Sequence, residues 1–78
     1  MGDKQFRAMI ILIVPQIVRM IVERYNLSET EAAILFYKSQ VYELLENEDT
    51  KVWQLSPLTV FNMYVGEKEK GIIAIPEG

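Results

Sequence analysis

AMIILIV at residues 8–14 carries no charge and is apolar on every side of a helix. It lies inside a longer pattern, because apolar residues continue at helical spacing through Pro15 as far as Tyr25. The pattern therefore predicts a helix over Lys4–Tyr25, kinked or restarted near Pro15. The β-branched residues also permit a strand over Met9–Val14, and Pro15 would then begin a helix at its first turn.

Three further helices are predicted from residues that begin and end helices. SETE at residues 28–31 is a capping box, in which the serine hydroxyl accepts a backbone N–H and the last glutamate reaches back. It predicts a helix running to about Lys38. Ser39 is a cap residue for a short third helix. SP at residues 56–57 combines an N-cap with a proline at the first helical position, and this fourth helix is expected to stop at Gly71.

Two short segments are predicted to be extended. KVWQL at residues 51–55 alternates as a short strand does, and IIAI at residues 72–75 is an apolar tail after the fourth helix. These segments could pair as a two-stranded sheet within the chain or across a dimer, or the tail could pair with a partner's strand. The predicted fold class is all-α, with three to four helices in a small bundle and one domain over residues 1–78.

The side chains on which most enzymes and metal sites depend are missing from the sequence. The 78 residues include no cysteine and no histidine, which excludes disulfides, thiolate metal ligands and the commonest general base. The serines fall at cap positions, and the sequence has no glycine-rich phosphate loop. The acidic residues from Glu43 to Asp49 are interpreted as a solvated helix end. We therefore expect no enzyme, and no catalytic, metal-binding or cofactor-binding residue.

The charge balance argues against nucleic-acid and membrane partners. The net charge is −3 and the basic residues are scattered among glutamates, whereas both partners favour a basic field. The uncharged segment is shorter than the roughly 20 apolar residues that span a bilayer, and Pro15 interrupts it. The chain is therefore expected to be cytoplasmic.

A small DNA-binding transcriptional regulator is the alternative function, with the second and third helices as a helix-turn-helix. The third helix, QVYELLE at residues 40–46, offers acidic side chains where base and phosphate contacts need basic or amide groups. A protein partner is therefore preferred to DNA.

The apolar segment predicts a protein–protein interaction module. A chain this short buries only about 60% of its unfolded surface, so it has little with which to cover such a segment. We expect a self-associating module, most simply a dimer, that pairs through Met9–Val14. The aromatic residues around Trp53 and Tyr64 are ordinarily core residues, and the alternative is an anchor for a second protein. The predicted interface residues are Met9, Ile10, Ile13, Ile17, Trp53, Tyr64 and Ile73.

Several short motifs resemble those of a family of small, uncharacterised bacterial proteins. They are YNLS at residues 25–28, YELL at residues 42–45, TKVW at residues 50–53 and LSP at residues 55–57. Members of that family are helical and are often encoded beside a predicted toxin that resembles ADP-ribosyltransferases. The resemblance implies an accessory or antitoxin-like protein. It carries over no catalytic or ligand residue, since the motifs are capping and packing features.

Overall fold

A computed structural model describes the chain from residue 2 to residue 73, with side chains from residue 4 onward. Over this range the structure is helical and has no strand, which confirms the predicted all-α class. Two single-turn 3₁₀ segments, Glu48–Thr50 and Val52–Gln54, lie between the third and fourth α-helices. The α-helices of the described range are α1 (Gly2–Tyr25), α2 (Glu29–Tyr37), α3 (Gln40–Leu45) and α4 (Pro57–Lys70).

The first helix runs without interruption through Pro15. A proline has no N–H, so the carbonyl oxygen of Ile11 receives no helical hydrogen bond from residue 15. Ile11 and Pro15 are both exposed, so this interruption of the hydrogen bonding lies on the outer side of the helix. The next carbonyl, that of Leu12, accepts a hydrogen bond from the Gln16 side chain at 2.9 Å. The predicted helix is therefore confirmed, but it does not restart at Pro15, and the strand alternative is wrong.

The predicted helix starts are confirmed by their caps. The hydroxyls of Ser28, Ser39 and Ser56 each accept the backbone N–H three residues further on, at 3.1, 3.1 and 3.2 Å. Glu31 completes the capping box by accepting the Ser28 N–H at 3.2 Å. Gly71 ends α4 in the left-handed conformation, with φ of 70°. These features are local in sequence, so each helix boundary is determined within a few residues.

The core lies between the inner side of α1 and the other three helices. Ile17 and Ile21 of α1 are fully buried, as is Phe36 of α2. Fully burying such a side chain contributes about 1.5–3 kcal/mol. Phe36 also makes an edge-to-face contact with Tyr64 of α4, with ring centroids 5.9 Å apart. The long apolar helix is thus the central packing element of the bundle.

The prediction of an extended segment at residues 51–55 is wrong. Val52–Gln54 is a 3₁₀ turn, and both Val52 and Trp53 are buried. The Trp53 indole N–H donates to the carbonyl oxygen of Glu48 at 2.9 Å, and Lys51 enters the turn with φ of 63°. Two adjacent apolar residues reach the core because the backbone coils rather than extends. Of the predicted tail, residues 72 and 73 have no regular secondary structure, and residues 74 and 75 lie outside the described range.

Candidate interaction surface

The structure places most of the predicted interface residues in the chain's own core. Ile13, Ile17, Trp53 and Tyr64 are only 3%, 0%, 6% and 2% exposed. Met9, Ile10 and Ile73 are half-buried and pack against the same core. The seven residues therefore do not form one exposed surface. Neither Trp53 nor Tyr64 is open to a second protein in this conformation.

The opposite side of α1 carries the exposed part of the apolar segment. We call it the outer stripe, and it consists of Ala8, Ile11, Leu12 and Pro15. Ile11 is 72% exposed and Leu12 is 61% exposed. The spacing of the four residues, at i, i+3, i+4 and i+7, puts them on one face of the helix. This segment of α1 thus has two apolar faces, of which the bundle covers one.

The length and composition of α1 reflect these two faces. Within residues 2–73, Lys4–Tyr25 is the one helix whose length and composition would allow it to cross a membrane. Its mean hydropathy is 1.6. Of an apolar 18-residue stretch within this helix, only 28% is buried. The buried residues are those that pack against α2 and α4, so α1 also serves as the core helix of the bundle.

An open groove between α1 and α2 borders the outer stripe. Its volume is about 720 Å³. Ile34 and Tyr37 of α2 line it while remaining 47% and 51% exposed. The α1 side consists of Val14, Pro15, Val18 and Val22, and the rim carries Arg19, Glu23, Glu29 and Thr30. We call this feature the α1/α2 groove. Its walls are apolar and its rim is charged.

The outer stripe and the α1/α2 groove form one continuous surface. Ile11, Pro15, Val18 and Val22 follow one another at steps of four, three and four residues, so they lie along one line on α1. Pro15 belongs to both features. An apolar surface therefore extends along α1 from Ala8 to Val22, with α2 as its second wall for part of that length.

No family model, curated protein or solved structure matches the chain. The resemblance to a small bacterial family, drawn from the motifs at residues 25–57, stays a prediction. The candidate surface is accordingly defined by geometry and exposure.

The predicted pairing segment Met9–Val14 contains Ile11 and Leu12, but the individual residues predicted for the interface lie on the inner face, because both faces of the segment have helical spacing. The two faces can be distinguished further along α1, where one of them is polar. Arg19 and Glu23 continue the line of Leu12 and Pro15, and both are exposed. Ile17 and Ile21 instead continue the line of Ile13 into the second half of the helix, where the core-facing stripe is unambiguous.

A polar cluster joins the far ends of α1 and α4. The Glu69 carboxylate accepts hydrogen bonds from Arg24 at 2.9 Å and from Tyr25 at 3.0 Å. Two hydrogen bonds lower the pKa of the Glu69 carboxyl. The bond from Arg24 has the larger effect and the bond from Tyr25 the smaller one. Burial, together with the bond to Glu69, raises the pKa of the Tyr25 phenol. Each group has its partner within the chain, so we assign this cluster a structural role.

The amino end of α3 is occupied by a side chain of α4. The Glu67 carboxylate accepts the backbone N–H groups of Gln40 and Val41 at 2.9 and 3.0 Å. A helix amino end with free N–H groups is where a phosphate would bind. Here two of those donors already face a carboxylate. This arrangement favours a packing role for α2 and α3 over a role as a DNA-binding helix-turn-helix.

The acidic residues after α3 end that helix and do not converge. Glu46 and Asp49 are exposed, and the Asn47 side chain accepts the Asp49 N–H at 3.0 Å to begin the first 3₁₀ turn. Within the described residues, no three acidic side chains are grouped closely enough to hold a metal ion. The outer stripe and the α1/α2 groove are therefore the strongest functional candidate in this part of the chain.

Proposed function

We propose that this protein is an interaction module that associates with itself through the outer stripe of α1. The observation that carries the proposal is the exposure of two large aliphatic side chains, Ile11 and Leu12, at 72% and 61%. They lie next to exposed Ala8 and Pro15, so the apolar patch is contiguous rather than scattered. Contiguous exposed apolar surface marks interaction sites on small proteins, whereas single exposed aliphatic residues need no explanation.

The composition of the chain supports self-association as a source of stability. The sequence has no cysteine or histidine, so neither a disulfide nor a zinc site can reinforce its 78 residues. Chains of this size have marginal cores, and oligomerisation is one of the few remaining ways to stabilise them. A second copy is also the one partner that is present wherever the chain is made.

The stripe alone gives a modest driving force. Fully burying an isoleucine or leucine contributes about 1.5–3 kcal/mol. A two-fold pair covers Ile11 and Leu12 from both copies, and with their present exposure this amounts to roughly 4–8 kcal/mol. Association itself costs about 4–15 kcal/mol in lost translational and rotational freedom. We therefore expect a reversible dimer whose population depends on concentration.

Sedimentation velocity over a concentration series up to the millimolar range tests the proposal. The wild-type chain should shift from the mass of one chain toward twice that mass. The double variant Ile11→Lys/Leu12→Lys should sediment as one chain throughout, because it places charges on the stripe. Leu58→Lys is the matched control, since Leu58 is 58% exposed but lies on α4, which packs against the inner side of α1.

The circular dichroism spectrum of each variant should match that of the wild-type chain, since the substituted side chains are exposed. A wild-type chain that stays a monomer at every concentration would overturn the proposal. So would a double variant that associates as strongly as the Leu58 control.

A further inference from the structure

The outer stripe is too small to form a stable interface by itself. Ala8 and Pro15 are seven residues apart, so the stripe is only about 10 Å long. A standard protein interface buries about 800 Å² on each partner. The α1/α2 groove extends the same apolar surface to Val22, which doubles its length to about 21 Å, and adds Ile34 and Tyr37 of α2.

A second copy of the chain is the partner that covers both features at once. A two-fold axis makes the contacts reciprocal, so an arrangement that puts the stripe of one copy on the groove of the other also puts the second stripe on the first groove. Ile11 is exposed in the amino-terminal half of this surface, whereas Val18 lines the groove in the other half and is only 6% exposed. Placing each Ile11 over the partner's Val18 puts one exposed aliphatic side chain into each groove.

This placement determines the register of the remaining residues. In an antiparallel pair of helices, one turn toward the amino end of one helix matches one turn toward the carboxyl end of the other. Arg7 precedes Ile11 by one turn and is exposed. Val22 follows Val18 by one turn and lies where the groove is rimmed by Glu29. The basic Arg7 side chain is thereby brought to the acidic Glu29 on the rim, twice in each dimer.

We infer that two copies of this chain dock antiparallel across a two-fold axis, with Ile11 in the partner's α1/α2 groove and Arg7 beside the partner's Glu29. The inference rests on the proposed self-association and specifies its geometry. Complementary charge at the rim of an apolar interface sets its register and speeds encounter.

Charge exchange tests the register. Arg7→Glu and Glu29→Arg each replace two attractive contacts per dimer with two repulsive ones. Each variant should raise the dissociation constant of the dimer about tenfold at low ionic strength. The increase should be smaller at high salt. The double variant Arg7→Glu/Glu29→Arg should return to within about threefold of the wild-type value, because the two contacts are then restored with the charges exchanged.

Two further variants separate the groove from general charge effects. Ile34→Lys places a charge in the groove without altering the outer stripe, and it should weaken the dimer by more than about tenfold. Glu43→Arg makes the same charge change as Glu29→Arg at an exposed position of α3 and should leave the dimer unchanged. Circular dichroism establishes that each variant is folded.

The outcomes distinguish this inference from the proposed function. A wild-type dimer that Ile34→Lys leaves unaltered would assign the groove to another occupant and overturn the inference, while self-association through the stripe would stand. Weakening by both single reversals without recovery in the double variant would overturn the register. A monomeric wild-type chain would overturn the proposed function as well.

Discussion

Two isoleucines of α1 test which face of the helix the bundle covers. Ile17 has no exposed surface, whereas Ile11 is 72% exposed, and the two lie six residues apart in one helix. Ile17→Ala removes the same atoms as Ile11→Ala, but from the centre of the core. A buried isoleucine replaced by alanine costs about 2–5 kcal/mol, which includes the cavity left behind.

The expected loss at Ile17 is large on the scale of this domain. A chain of this length has a free energy of unfolding of roughly 4–12 kcal/mol. Ile17→Ala should therefore remove at least about a sixth of the stability, and nearly half at the middle of both ranges. Ile11→Ala should change it by no more than about 0.5 kcal/mol, because the side chain contacts little and alanine favours the helix.

Urea unfolding followed by circular dichroism measures both values. The slope of the free energy of unfolding against urea concentration should be the same for both variants. The shift of the midpoint then reports the change in stability. The measurement belongs at low protein concentration, where the chain is a monomer. At high concentration Ile11→Ala should also become destabilising, because association stabilises only the folded chain. Equal losses at the two positions in dilute solution would refute the orientation of α1 and, with it, the outer stripe.

Two further predictions concern the contacts that hold the bundle together. Glu67→Ala removes the acceptor for two N–H groups of α3 and should cost about 1–3 kcal/mol, which lowers Tm by about 4–8 °C per kcal/mol. Calorimetry of Glu67→Ala and of the control Glu43→Ala, which changes an exposed glutamate of α3, checks this. Equal Tm values for the two variants would contradict it. Burial raises the pKa of the phenols of Tyr25, Tyr42 and Tyr64. Their contribution to stability is therefore complete below the ordinary phenol pKa of about 10 and lost as the pH rises above it. A urea midpoint that stays constant through this alkaline range would contradict the assignment.

The helix boundaries could be predicted because each depends on neighbouring residues. Ser28 and Glu31 complete their hydrogen bonds within one turn, and Ser56 begins α4 in the same way. No distant part of the chain is needed to make these caps. The same reasoning failed at Trp53, whose burial depends on the bond from its indole to the Glu48 carbonyl and on contact with Phe6, 5.4 Å away across the fold.

The inner and outer faces of α1 could not be distinguished from the apolar segment itself. Ile13 and Leu12 have nearly the same hydrophobicity, and their neighbours are apolar in both directions. Their burial is determined by where α2 and α4 pack, which is a tertiary property. For Trp53 and Tyr64, the residue type could not distinguish an interface position from a core position. Tryptophan and tyrosine are common in both.

Pro15 limits how tightly the outer stripe can bind a partner. The carbonyl oxygen of Ile11 lacks its helical hydrogen bond, and an unpaired carbonyl that becomes buried costs about 1–3 kcal/mol. A partner that covers it must bring a donor or retain a water molecule there. Covering the stripe and the groove in both copies contributes roughly 7–14 kcal/mol, against an association cost of about 4–15 kcal/mol. The difference is a few kcal/mol, which corresponds to a dissociation constant in roughly the millimolar range. For the proposed dimer we therefore expect reversible association, with Pro15 on the outer stripe favouring the monomer.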